Sequence, residues 1–228
     1  MQRIVQLQHN APAQLLRLLF HDCFIRGCDA SVLLADSNEN GTHVEREAIP
    51  NRTLKGFDII DMIKDEIEEK CPGIVSCSDI LVLATRDGIA LAGGLYYPVL
   101  TGRRDSKESF FDEAMPEISR PDGNITETLK LFSLRGFDER ETVALLGISS
   151  NPTTIIFICW SLHPLFNTCL PDPTIPSDFL EELMRKCPDD NSTINNMLNE
   201  HIARGLRLLF ADQQLMANEK TAAVVMDY

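Results

Sequence analysis

Residues 17–34, RLLFHDCFIRGCDASVLL, place two arginines, a histidine, two aspartates and two cysteines in one short stretch. On a helix Arg17 and His21 stand four residues apart and Phe20 three from Arg17, so a cation, an imidazole and an aromatic wall share one face. That set suits hydrogen peroxide held end-on at a metal: the imidazole takes a proton from the near oxygen and returns it to the far one. The guanidinium stabilises negative charge growing on the departing oxygen as the O–O bond breaks. An Arg-x-x-x-His pair alone equally describes an ordinary helix with a hydrogen-bonded core histidine and a surface arginine.

The residues that follow shift the balance toward chemistry. Asp22, Asp29 and Ser31, with carbonyls between them, offer hard oxygen ligands within ten residues, the donor type that calcium takes. Cys23 and Cys28 can close that loop, and Gly27 lets it turn tightly. Because Asp22 adjoins His21, a cation gripping the loop also fixes the helix end that carries the imidazole.

Positioning such groups requires a helical frame, and helical signals dominate, so the expected fold class is mainly α. An apolar helix is expected over 12–23, opening on Pro12. A second spans 58–70, with Ile59, Ile60, Ile63 and Ile67 on one stripe and Pro72-Gly73 behind it. A third covers 78–92 and stops at Gly93-Gly94. Asn124 with Glu127, and Asp138 with Glu141, have capping-box spacing, which predicts helices near 125–134 and 139–146; another is expected over 178–186.

A chain of 228 residues with no low-complexity linker reads as a single domain. Its net charge of −13, with no long basic run, disfavours nucleic acid and anionic membrane surfaces as partners. The longest apolar stretch, IIFICW at 155–160, is far short of a membrane span. Seven cysteines and four Asn-x-Ser/Thr sequons, at Asn40, Asn51, Asn124 and Asn191, point to an oxidising, glycosylating compartment, although MQRIVQLQHNAPAQ has no signal-peptide core. The odd cysteine count implies an unpaired thiol or a missing segment, and the missing segment is the preferred reading.

The opening stretch resembles the distal haem segment of the secreted plant haem peroxidases, the class III peroxidases. The resemblance continues through EREAIPNRTLKGFDIID, CPGIVSCSDILVLATRDGIALAGG, GRRDS, LRGFDERETVALLG and LLFADQQLMANEKTA, about four-fifths of the chain. It implies the plant haem-peroxidase fold, haem b and calcium as cofactors, hydrogen peroxide and small phenolic donors as partners, and single-electron oxidation. It further implies a monomer, secreted or vacuolar, acting in the response to oxidative stress. By the same resemblance Arg17, Phe20 and His21 are the distal residues, with Phe20 and Arg17 facing the haem, and Asn51 accepts the other imidazole N–H. Asp22, Ile25, Gly27, Asp29 and Ser31 then bind the distal calcium, two through backbone carbonyls, with Glu45 acting through water. Asn51 also begins a sequon, and the buried and glycosylated roles exclude each other. Arg103, Arg104 and Asp105 read as a structural charge cluster.

The resemblance holds over 1–123 and breaks within 124–228. Ser149 stands where the family carries its axial histidine, and a hydroxyl is a poor ligand for haem iron. Asp212 matches the carboxylate that would polarise that histidine. From Ile148 to about Leu170 the text departs from the family, and a second calcium loop is unrecognisable over 188–204. His163 is the substitute ligand considered and a solvent-exposed loop the preferred reading for it; His9 and His43 belong to the distal half, and His201 lies in the altered part. In the family the cysteines matching Cys71 and Cys77 pair toward the two termini, so the chain is expected to be truncated at both ends, with the pairing of Cys71, Cys77, Cys159, Cys169 and Cys187 open. The alternative function is therefore a catalytically impaired, haem-free relative that binds calcium or acts as an interaction protein.

Overall fold

The computed structural model describes residues 1–35, 43–119, 124–149, 215 and 218–226. The chain divides into two compact units, Met1–Ile118 and Ser119–Tyr228. Among the described residues the regular structure is helical, as the sequence leads one to expect.

In the first unit α1 (Gln2–Leu7) leads into α2 (Ala11–Arg26), the helix that carries the opening motif. Short 3-10 turns follow at Ser31–Leu33, Glu45–Glu47 and Ile49–Asn51, then α3 (Phe57–Glu68), α4 (Cys77–Leu91) and α5 (Phe111–Glu117). Leu15 and Leu18 of α2, Ile59 and Ile60 of α3 and Leu81 of α4 make one fully buried cluster. Burying each such side chain contributes about 1.5–3 kcal/mol, which makes this three-helix junction the anchor of the unit. At Gly88 a Cβ would stand 3.2 Å from the Pro12 Cα, so glycine lets α4 lie against the start of α2. Thr85 Oγ1 donates to the Leu15 carbonyl at 3.2 Å and ties the same two helices together. A second cluster of Ile25, Ala48, Ala114 and Ile118, flanked by Phe20, Phe110 and Phe111, packs α5 against the C-terminal half of α2 and the turn residue Ala48.

The GRRDS segment is tied to α4 and the cysteine loop by side chains far apart in sequence. Asp105 accepts from the backbone N–H groups of Cys77 and Ser78, each at 2.9 Å, at the N-terminus of α4. A carboxylate there satisfies orphan donors and meets the positive end of the helix dipole. Arg103 Nη1 lies 3.0 Å from Asp79 Oδ1. Burial alone would raise the Asp79 pKa, but the N–H of Gly102 and the Arg103 guanidinium outweigh it and hold the carboxyl below its ordinary value. Ser106 N–H donates to the Asp29 carbonyl at 2.7 Å, and Ser78 Oγ donates to the Cys28 carbonyl. Asp105→Ala is therefore expected to destabilise the chain by about 1–2 kcal/mol, read as a lower urea midpoint at unchanged m-value, with Asp105→Asn closer to wild type.

In the second unit α6 (Ile125–Ser133) and α7 (Glu139–Ser149) precede α8 (Glu219–Met226), with Ile125, Val143 and Leu215 at the core. Both capping sites are present. Asn124 Oδ1 accepts from Glu127 N at 2.9 Å; Asp138 and Glu141 exchange backbone-to-carboxylate bonds of 2.9 and 2.8 Å. The helix expected over 178–186 lies outside the described residues, as do Cys159, Cys169, Cys187, His163, His201 and Asp212. No helix among the described residues is long and apolar enough to cross a membrane.

Candidate active site

His21 sits two-thirds of the way along α2, on the side turned to the 3-10 turns rather than to the leucine cluster. It is 6% exposed. Its Nδ1 lies 2.7 Å from Asn51 Oδ1. The Asn51 amide is itself fixed, because its Nδ2 donates to the Glu45 carbonyl at 2.8 Å. An amide whose N–H₂ is committed to a carbonyl presents its oxygen to the imidazole, so Nδ1 carries the proton and Nε2 keeps the lone pair. Burial first, then the nearby Arg17 charge, push the His21 pKa down to about 3 against the opposing pull of Asn51. The imidazole is accordingly neutral, and a proton acceptor at Nε2, throughout the neutral range. Asn51 is 1% exposed with both amide atoms engaged, which leaves no room for a glycan on it in the folded chain.

Arg17, one turn earlier, reaches the same stretch of chain. Its Nη2 donates to Thr53 Oγ1 at 2.8 Å and to the Pro50 carbonyl at 3.4 Å. Burial lowers its pKa to about 10, so it remains a cation at neutral pH. Residues 50–53 thus hold both the imidazole, through Asn51, and the guanidinium. Thr53 and the carbonyls of Pro50 and Glu45 are positioning groups that the sequence did not reveal. Thr53→Val should cost about 1–2 kcal/mol of stability and broaden the Arg17 side-chain NMR signals, with Thr53→Ser restoring both. Phe20 meets the His21 ring edge-to-face at 5.7 Å and packs its other side on Phe24.

The adjoining loop is closed by a Cys23–Cys28 disulfide. Gly27 ends α2 at φ 98°, a conformation that favours glycine. Ala30 takes φ 61°, unusual for a residue with a Cβ, and its N–H donates to Asp22 Oδ2 at 3.0 Å. Asp29 Oδ1 accepts from Ser31 N at 3.1 Å. Asp22 Oδ1, Ser31 Oγ and both carboxylate oxygens of Glu45 are buried with no hydrogen-bond partner. Ser31 and the Phe110 N–H nevertheless lie near enough to Glu45 to lower its pKa, without meeting hydrogen-bond geometry. Burial, then repulsion from Asp29 and Glu45 despite the Ala30 N–H, raises Asp22 to about 7. Burial likewise raises Glu45, with Asp29 and Glu113 adding to it.

Four orphaned oxygens among carboxylates that repel one another fit a hard divalent cation. No three His, Cys, Asp or Glu side chains converge on one point among the described residues. Asp22, Ser31 and Glu45, with Asp29 nearby, are the residues whose side-chain oxygens could hold such a cation. Among the described residues Cys71 and Cys77 have no disulfide partner. Ser149 is the last residue of α7, and its side chain lies outside the described residues.

The Peroxidase family model matches residues 1–228. The curated proteins to which the chain is similar include three from Arabidopsis thaliana. It is 45% identical to Peroxidase 39 over 195 residues, covering 81% of this chain and 59% of that protein. Peroxidase 3 is 43% identical over 198 residues, with 82% and 59% covered. Peroxidase 43 is 42% identical over 221 residues, with 95% and 64% covered. The chain thus spans between half and two-thirds of the length of these relatives. A match along the whole chain, relatives of this identity and a distal-type motif on α2 together lead to one assignment: the chain belongs to the peroxidase family, in its plant class III branch.

Proposed function

We propose that the chain carries the hydrogen-peroxide-handling half of a haem peroxidase, stiffened by calcium, with small phenolic donors as the reducing substrates. The observation that carries this reading is the 2.7 Å contact from His21 Nδ1 to an amide oxygen that the Glu45 carbonyl holds in place. It leaves Nε2 as the base. Nε2 takes a proton from one oxygen of hydrogen peroxide and delivers it to the other, while the charged Arg17 stabilises the departing oxygen. The Cys23–Cys28 bridge accords with an extracellular or vacuolar setting.

Haem b, when bound, supplies the iron at which such a cleavage is driven. The residues fit it on one side only. Arg17, Phe20 and His21 suit the handling of peroxide, but by resemblance Ser149 stands where the residue that would hold the iron is expected, and its hydroxyl does not match the imidazole, thiolate or phenolate that hold haem iron. Ser149 favours a second reading, a haem-free calcium-binding relative that acts as an interaction protein. Titrating the calcium-loaded chain with haem b separates the two. Saturable uptake with a Soret band and guaiacol oxidation supports the first; no saturable uptake, with calcium still bound, supports the second.

A further inference from the structure

A cavity of about 740 Å³ lies beside the Glu45–Glu47 turn, walled by Ala35, Val44, Phe111, His43, Glu47, Arg46 and Arg52. None of Arg17, Phe20 or His21 lines it, so it is separate from the candidate active site. Its size falls within the range of small-molecule sites.

Its charge is at odds with the rest of the molecule. In a chain of net charge −13, two arginines face one cavity and neither is ion-paired with a carboxylate among the described residues. The single acid of the lining, Glu47, has one carboxylate oxygen 3.1 Å from His43 Nδ1, and the two arginines outnumber it. Arg52 spends Nε on the Glu47 carbonyl at 2.9 Å, which fixes the guanidinium and leaves its terminal amino groups to a ligand. Arg46 lies over the Phe57 ring at 4.3 Å, an arrangement that leaves the N–H edge of the guanidinium open. Phe111 stacks on His43 with centroids 5.0 Å apart and planes 26° off parallel, so each ring covers one face of the other and the outer face of the stack stays open to the cavity.

We propose that this cavity binds a small organic anion, a carboxylate on an aromatic body. Arg46 and Arg52 take the carboxylate, whose two oxygens match a guanidinium fork, and the open outer face of the Phe111–His43 stack takes the ring. The proposal is independent of the peroxide reading.

Isothermal titration of the calcium-loaded chain with naphthalene-2-carboxylate tests it. Saturable binding below about 1 mM is expected. Naphthalene-2-methanol, which keeps the body, and acetate, which keeps the charge, should each bind at least about tenfold more weakly. Arg52→Gln, at an exposed position, and Arg46→Gln should each weaken the acid about fivefold or more, whereas Arg104→Gln, outside the cavity, should not. Equal binding of acid and alcohol, unchanged affinity in both cavity variants, or no saturable heat with the wild-type chain would overturn the proposal. The comparison of acid with alcohol needs no variant and so does not depend on any variant folding.

Discussion

Removing calcium with a chelator at pH 7 is expected to lower the Tm of the chain by about 5–15 °C. Calcium at 100 to 1,000 times its dissociation constant stabilises the state that binds it by about 3–4 kcal/mol, and each kcal/mol is worth about 2–4 °C in a chain of this length. The driving force is local. Asp22 Oδ1, Ser31 Oγ and both Glu45 oxygens are buried without partners, and Asp22 and Glu45 are 0% exposed. The pH dependence follows from the raised Asp22 pKa. Without calcium the folded chain holds that proton up to about 7, whereas the unfolded chain releases it near 3.8. Stability of the calcium-free chain therefore declines as pH rises from about 4 to 7, and calcium reverses the trend by replacing the proton. Asp22→Asn should abolish the calcium response. Equal melting with and without calcium at pH 7 would show that these oxygens hold no cation.

His21→Ala should slow peroxide consumption by the haem-loaded chain by about 10²–10⁴-fold in kcat/KM for hydrogen peroxide, the usual worth of a positioned general base. Haem content by absorbance serves as the control, because the substitution removes a base and not a ligand. Asn51→Leu should retain haem and lose less activity. Asn51 raises the imidazole pKa and fixes its tautomer, so its loss leaves a weaker, misoriented base in place. A rate that His21→Ala leaves unchanged would mean that the turnover belongs to haem outside this site.

Much of the frame was legible because its signals are local. The isoleucine stripe, the glycine stop and the two capping boxes each mark a helix within a turn or so of where it lies. Two helices left no readable mark: α1 buries no residue, and α5 contains Pro116, which reads as a breaker. The short Cys23–Cys28 loop could be anticipated from the five-residue gap, whereas nothing in the spacing of Cys71 and Cys77 decided their state; they are not bonded to each other. The contacts that make the candidate site are long-range. Asn51 lies 30 residues from His21 and came into view only through family resemblance. Thr53, 36 residues from Arg17, is an ordinary threonine in sequence, and a backbone carbonyl such as that of Glu45 carries no residue-type signal at all. GRRDS read correctly as a structural cluster, but that Asp105 caps α4 while Arg103 pairs with Asp79 required the fold.

The central claim is that the fold presents His21 as a neutral imidazole with its proton on Nδ1 and an open lone pair on Nε2. Long-range ¹H–¹⁵N correlation of the imidazole nitrogens in the calcium-loaded chain measures this directly, without haem. The predicted result is a protonated Nδ1 and an unprotonated Nε2 for His21, a pattern lost in Asn51→Leu. A proton on Nε2, or rapid exchange between the two nitrogens that Asn51→Leu leaves unaltered, would contradict it.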